Sequence, residues 1–158
     1  MIFDRTQNDV DTARILRNKK VKFDPITMQP INLDELTPDE LQTLNKGTFN
    51  YTDLNRIETK QEELKNLFNE IGYWNTPITN KAWGENDIFN VDEFQRILDN
   101  TNVLRKAFFV YKDTPNTPPV SYHYNDINAL EKILNDLDVM MNDVKSHYRE
   151  CGTFESEE

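Results

Sequence analysis

The chain has 158 residues, enough for one domain and too few for two of ordinary size. Hydrophobic residues make up 37% and charged residues 29%, and the net charge is −10. No stretch is apolar enough for a membrane-spanning helix, and no apolar segment after Met1 suggests a secretory signal. The single cysteine, Cys151, excludes an internal disulfide or a cysteine-based zinc site.

The first predicted element is a short helix over about residues 7–18. Thr6 is a good N-cap residue, and Asp9 in the first turn opposes the helix dipole. Residues 19–36 then carry two prolines and no helical period. We therefore interpret them as an irregular connector.

A second short helix is predicted to begin at Pro38. Thr37 supplies the N-cap hydroxyl, proline occupies the first helical position, and Glu40 stands at the capping-box position. We expect this helix to end near Lys46, because Gly47 can adopt the left-handed conformation that stops a helix.

The clearest predicted element is a long helix that begins at Tyr51 or Thr52 and closes at Gly72. Its inward stripe recurs with the spacing of a seam that packs against other helices. The stripe consists of Leu54, Ile57, Gln61, Leu64, Leu67, Phe68 and Ile71.

Two further long helices are predicted, each after a loop. Residues 73–90 keep no helical period, and a helix follows over about residues 91–110, capped by Asn90 or Asp87. The prolines of residues 112–120 then require a stiff, extended link.

The last helix is expected over about residues 124–148. Its stripe repeats the seam spacing, with Ile127, Leu130, Ile133, Leu134, Leu137, Met140, Met141 and Val144.

These elements predict an all-α fold: a small bundle of three long helices with two short N-terminal helices and long irregular loops. An antiparallel arrangement of the long helices is the economical expectation. We assign residues 1–50 to an N-terminal extended segment with the short helices, residues 51–150 to the bundle, and residues 151–158 to an acidic tail. The composition describes a soluble, acidic domain.

The acidity increases along the chain, and residues 111–158 carry a net charge of −6. General nucleic-acid binding is therefore not expected, because these residues repel a phosphate backbone. A short basic run is the exception, formed by Arg14, Arg17, Lys19, Lys20 and Lys22. Contact with an acidic partner surface and a solvated helix end both remain open as interpretations.

Residue types that carry enzymatic chemistry are scarce or poorly spaced. His123 and His147 have no second histidine at helical spacing, and the 4 glycines are too scattered for a phosphate loop. Acid pairs such as Asp136 and Asp138 would suit a glycosidase, but 28 acids produce chance pairs, which we expect on exposed helix faces. The sequence thus predicts no catalytic residue, metal ion or cofactor.

Trp74 and Trp83 lie in the loop after the first long helix. Aromatic rings there have two interpretations. They would form a platform that stacks on a host-surface glycan, or they would cover one end of the bundle. The glycan-binding module is our alternative functional hypothesis.

Four segments carry a resemblance to a known family: residues 2–10 (IFDRTQNDV), residues 50–58 (NYTDLNRIE), Trp83 with Asp87-Ile88, and residues 128–138 (NALEKILNDLD). In this order they resemble a helical module of tailed phages and prophages of Gram-positive bacteria. Members of that module are minor structural, tail- or baseplate-associated proteins. The resemblance covers nearly the whole chain and supplies no catalytic residue.

The resemblance implies a virion structural protein of the tail, baseplate or connector that is synthesised in the host cytoplasm. Its partners would be other virion structural proteins, with several copies in a closed symmetric assembly and no membrane contact.

Four charged residues are candidate contacts with a neighbouring subunit: Asp4, Arg5, Asp53 and Arg56. The alternative is that they act within the chain. In that case Thr52 or Asp53 caps the first long helix, and Arg56 pairs with a local acid such as Glu58 or with the segment around Asp4.

Overall fold

The computed structural model describes residues 1–20, 22–23, 26, 30–31, 36–73 and 76–151. Within these ranges the regular structure consists of five helices and two very short strands, which confirms the predicted all-α class. The elements are α1 (Gln7–Lys20), β1 (Lys22–Phe23), β2 (Pro30–Ile31), α2 (Pro38–Gly47), α3 (Tyr51–Glu70), α4 (Val91–Ala107) and α5 (Tyr124–Cys151). The strands form one antiparallel ladder, with Lys22 opposite Ile31 and Phe23 opposite Pro30.

The core lies between α3, α4 and α5, where the predicted stripes meet. Phe68 from α3, Phe94 from α4 and Leu134 from α5 are fully buried in it. Gln61, the polar member of the α3 stripe, is buried as well, and it donates hydrogen bonds to Ile97 O and Thr101 Oγ1, both at 2.8 Å. A buried amide is tolerated because its donors have partners.

Asparagines begin two of the long helices. Asn50 is the N-cap residue of α3, so the expectation that Thr52 provides the cap is wrong. Asp53, the other residue expected there, contributes as the capping-box residue that accepts a hydrogen bond from Asn50 N at 3.0 Å. Asn90, one of the two residues expected to cap α4, does so by accepting a hydrogen bond from Glu93 N at 3.0 Å. Each cap satisfies backbone donors that the first helical turn leaves open.

The long helices run parallel, which contradicts the expected antiparallel arrangement. Ion pairs join α3 to α5 in ascending order along both helices: Arg56 with Glu131, Lys60 with Asp138, and Glu70 with Lys145. Helix α4 has the same direction, since Glu58 and Gln61 of α3 contact Arg96 and Thr101 of α4 in that order.

Two long connections make the parallel arrangement possible. The 20 residues of 71–90 and the 16 residues of 108–123 each return the chain from the end of one helix to the start of the next. A short loop would force neighbouring helices to be antiparallel, but an extended segment of this length spans a whole helix.

Helices α1 and α2 form a separate antiparallel hairpin beside the bundle. A Cβ atom built on Gly47 would lie 2.1 Å from Asp9 O and 2.5 Å from Ala13 Cβ. Gly47 is therefore needed for close approach of the helices, and the prediction of a left-handed stop is wrong there. Among the described glycines only Gly72, after α3, has a positive φ, 93°.

Candidate interaction surface

A buried cluster of charges holds the N-terminal segment against the bundle. Arg5 is only 4% exposed, and its Nη2 lies 3.2 Å from Asp53 Oδ1 and 3.0 Å from Glu131 Oε1. The Nη2 atom of Arg56 contacts the same two carboxylate oxygens at 2.6 and 2.8 Å. Two cations thus balance two anions in one largely buried contact, where an unpaired charge would be very costly.

Further hydrogen bonds fix the position of Arg5. Its Nε donates to Lys46 O at 3.0 Å, its Nη1 donates to Ile2 O, and Ile2 N donates to Glu131. The guanidinium therefore bridges three parts of the chain: the N-terminal segment, the end of α2, and the α3–α5 interface. Arginine suits this position because its donors are fixed in a planar fork.

Three of the four candidate charged residues therefore meet, and they meet within one chain. Asp53 acts in the α3 cap, and Arg56 pairs with Asp53 and Glu131. The expected pairing of Arg56 with a local acid is therefore confirmed, but that acid is Asp53 and not Glu58. Asp4 is exposed and contacts Lys46 at 3.2 Å. Nothing in the local sequence pattern distinguishes Glu131 from the other acids of the last helix, so its place in this cluster could not be predicted from sequence.

A second buried carboxylate, Glu58, ties the loop after α3 to the bundle. Its Oε1 accepts hydrogen bonds from Trp83 Nε1 and Arg96 Nη2, both at 2.6 Å. Its Oε2 accepts from Lys81 N at 2.6 Å and from Arg96 Nη1 at 2.9 Å. The hydrogen bond to Glu58 raises the pKa of Arg96 above its usual range, so the guanidinium stays charged.

Trp83 belongs to the core. It is 5% exposed, its ring packs edge-on against Phe89, and Lys81 Nζ lies 4.1 Å from the ring centroid. A ring covered in this way offers no free face to a sugar. Trp74 lies outside the described residues, so the hypothesis of a sugar platform now depends on that residue.

Side-chain amides fasten backbone segments that belong to no helix or strand. An asparagine presents one donor and one acceptor side by side, which matches the N–H and C=O of a single residue. Three asparagines pair in this way at 2.8 to 3.4 Å: Asn55 with Trp83, Asn100 with Thr79, and Asn128 with Arg5.

Aromatic rings gather at the end of the bundle where the long helices begin. Phe89 lies within 6 Å of Phe49, Trp83, Phe94 and Tyr122 by ring centroid, and Tyr122 stacks on buried Phe94 at 5.3 Å. The rings of this cluster bring three chain segments together: the start of α3, the loop before α4, and the link before α5.

Several large apolar side chains at that same end are exposed. Ile88 is 82% exposed, Val91 55%, Tyr122 54% and Tyr51 38%. We call these four residues the apical face. Exposed apolar patches mark surfaces that contact other macromolecules, whereas isolated exposed side chains need no explanation.

Among the described residues, no three histidine, cysteine or acidic side chains stand where one metal ion would fit between them. Asp136, which we expected on an exposed face, is 9% exposed and accepts a hydrogen bond from Thr114 Oγ1 at 2.8 Å. The described helices include none with the length and apolarity to cross a membrane.

Comparison with known proteins gives no match to a family model, to a curated protein or to a solved structure. The resemblance to the phage module therefore rests on the four sequence segments quoted above.

Proposed function

We propose that this protein is a structural component of a tailed-phage virion, in the tail, baseplate or connector, and that it acts through contacts with other virion proteins. The apical face is the observation that carries the proposal. It exposes Ile88, Val91, Tyr122 and Tyr51 beside an ordered aromatic cluster, a composition suited to a protein partner.

The use of the charged residues supports the same proposal. Arg5, Asp53, Glu58 and Glu131 are all buried and all form ion pairs inside the chain. Such pairs fix one arrangement of segments more than they add stability. A rigid module with its apolar end exposed is well suited to being held among other subunits.

Particle composition tests this proposal. Mass spectrometry of particles purified from the phage or prophage that encodes the chain should detect it. The double substitution Ile88→Glu with Val91→Glu should remove it from particles, because it places charge on the apical face without disturbing buried groups. Val139→Glu is the matched control, since Val139 is 48% exposed on α5, fifteen residues beyond the start of that helix. Particles that lack the wild-type chain would contradict the proposal.

A further inference from the structure

A cleft separates the α1–α2 hairpin from the start of α5. Its volume is about 290 Å³. The aromatic residues Phe49, Tyr122 and Tyr124 line it, together with Val10, Arg14 and His123. None of the described residues that line the cleft is acidic, although the chain contains 28 acidic residues. A strongly acidic protein thus has an aromatic cleft edged by basic groups.

The charge of Arg14 is available to a ligand. Its side chain is 72% exposed, and its pair with Asp11 is long, 3.9 Å, and solvent-exposed. Arg5 also lines the cleft, but Asp53 and Glu131 neutralise it. The chemistry that fits is an aromatic side chain followed by carboxylates: the ring enters the cleft, and the acids meet Arg14 at its rim.

The chain itself contains a segment with that chemistry. Residues 152–158 read GTFESEE, one aromatic residue followed by three glutamates within four positions. The same molecule cannot deliver this segment. Helix α5 has 28 residues and is about 42 Å long, and it leads away from the cleft. Seven extended residues span at most about 25 Å.

We propose that the cleft binds residues 153–158 of a second copy of this chain, with Phe154 between the aromatic walls and the glutamates facing Arg14. This inference rests on the proposed function, because it names one partner of an assembly protein. The contact is head-to-tail: the end of α5 in one copy meets the start of α5 in the next. Contacts of that type build rings or open filaments.

Sedimentation velocity of the full chain tests the inference. The wild-type chain should associate as its concentration rises, and Arg14→Glu or Phe154→Ala should weaken the association at least about tenfold. Two matched controls should leave it unchanged: Lys112→Glu, an exposed cation in the link after α4, and Phe109→Ala, an aromatic residue 63% exposed elsewhere. A synthetic peptide of residues 152–158 should compete with the association.

Two results would overturn the inference. One is a wild-type chain that stays monomeric up to about 1 mM, the weak end of specific association. The other is association that Arg14→Glu and Phe154→Ala leave intact, because another surface must then be responsible. Neither result bears on the proposed function, which depends on whether purified particles contain the protein.

Discussion

Asparagine is abundant in this chain, with 19 among 158 residues, and the structure gives several of them defined roles. Asn50 and Asn90 begin helices, and Asn55, Asn100 and Asn128 pair with the backbone of segments that lack regular structure. An amide side chain serves both roles because it accepts and donates at short reach. The composition alone did not indicate which backbone segment each amide would meet.

Glu58 provides the sharpest test at the scale of one residue. Glu58→Gln places an amide donor against Trp83 Nε1, Lys81 N or the Arg96 guanidinium, all of which donate to Glu58 in the wild-type chain. We expect the free energy of unfolding to fall by about 2–4 kcal/mol, because the partly buried Arg96 loses one of its two carboxylate partners and keeps only Glu93. Urea unfolding followed by circular dichroism measures the change.

Glu63→Gln is the matched control for that substitution. Glu63 lies on the same helix and pairs with Lys60 at 2.6 Å, but its side chain is 56% exposed. Loss of an exposed pair should cost less than about 1 kcal/mol. Equal losses for the two variants would mean that the Glu58 cluster contributes no more than a surface ion pair.

At the scale of helices, the sequence predicted well which long helices exist and which face of each helix is buried. The seam of α3 is a local property: Leu54, Ile57, Leu64 and Phe68 recur at helical spacing, and all four are buried. The reason why position 47 requires glycine was not local. That glycine is required by the approach of Asp9 and Ala13 in α1, more than thirty positions earlier in the chain. The sequence next to residue 47 therefore does not show why glycine is needed there.

Gly47→Ala should therefore open the α1–α2 hairpin. Its new Cβ would collide with Asp9 O and Ala13 Cβ, a cost of about 1–3 kcal/mol after the backbone shifts. Amide hydrogen exchange in α1 and α2 should accelerate by about 5- to 150-fold, while the bundle helices keep their protection. Gly84→Ala is the control, because its nearest atom, Asp87 Oδ2, is 3.9 Å from the added Cβ. Unchanged exchange in α1 would contradict the close-contact explanation.

At the scale of the whole molecule, three parallel helices place their positive dipole ends together. The chain offsets this with acids in the first turn of each helix: Asp53 in α3, Asp92 and Glu93 in α4, and Asp126 in α5. Arg105 and Lys106 provide the matching cations in the last turn of α4. The sequence contained this pattern, but each acid is equally expected at the start of an antiparallel helix, so the pattern did not reveal direction.

The link between α4 and α5 tests helix direction directly. In a parallel bundle residues 108–123 must span the length of α4, whose 17 residues measure about 25 Å. Deletion of residues 111–120 leaves six linking residues, which reach about 20 Å at most. The shortened chain should lose its cooperative unfolding transition, because α5 can no longer begin beside the start of α4.

An insertion in the same link separates length from composition. Ten Gly and Ser residues placed after Asn116 lengthen the link without removing any contact, and closing the longer loop should cost less than about 1 kcal/mol. In an antiparallel bundle the deletion would cost less stability than the insertion, since a six-residue loop suffices to join adjacent helix ends. Thermal unfolding of both variants beside the wild-type chain decides between the arrangements: a deletion variant that keeps the wild-type transition would rule out parallel helices.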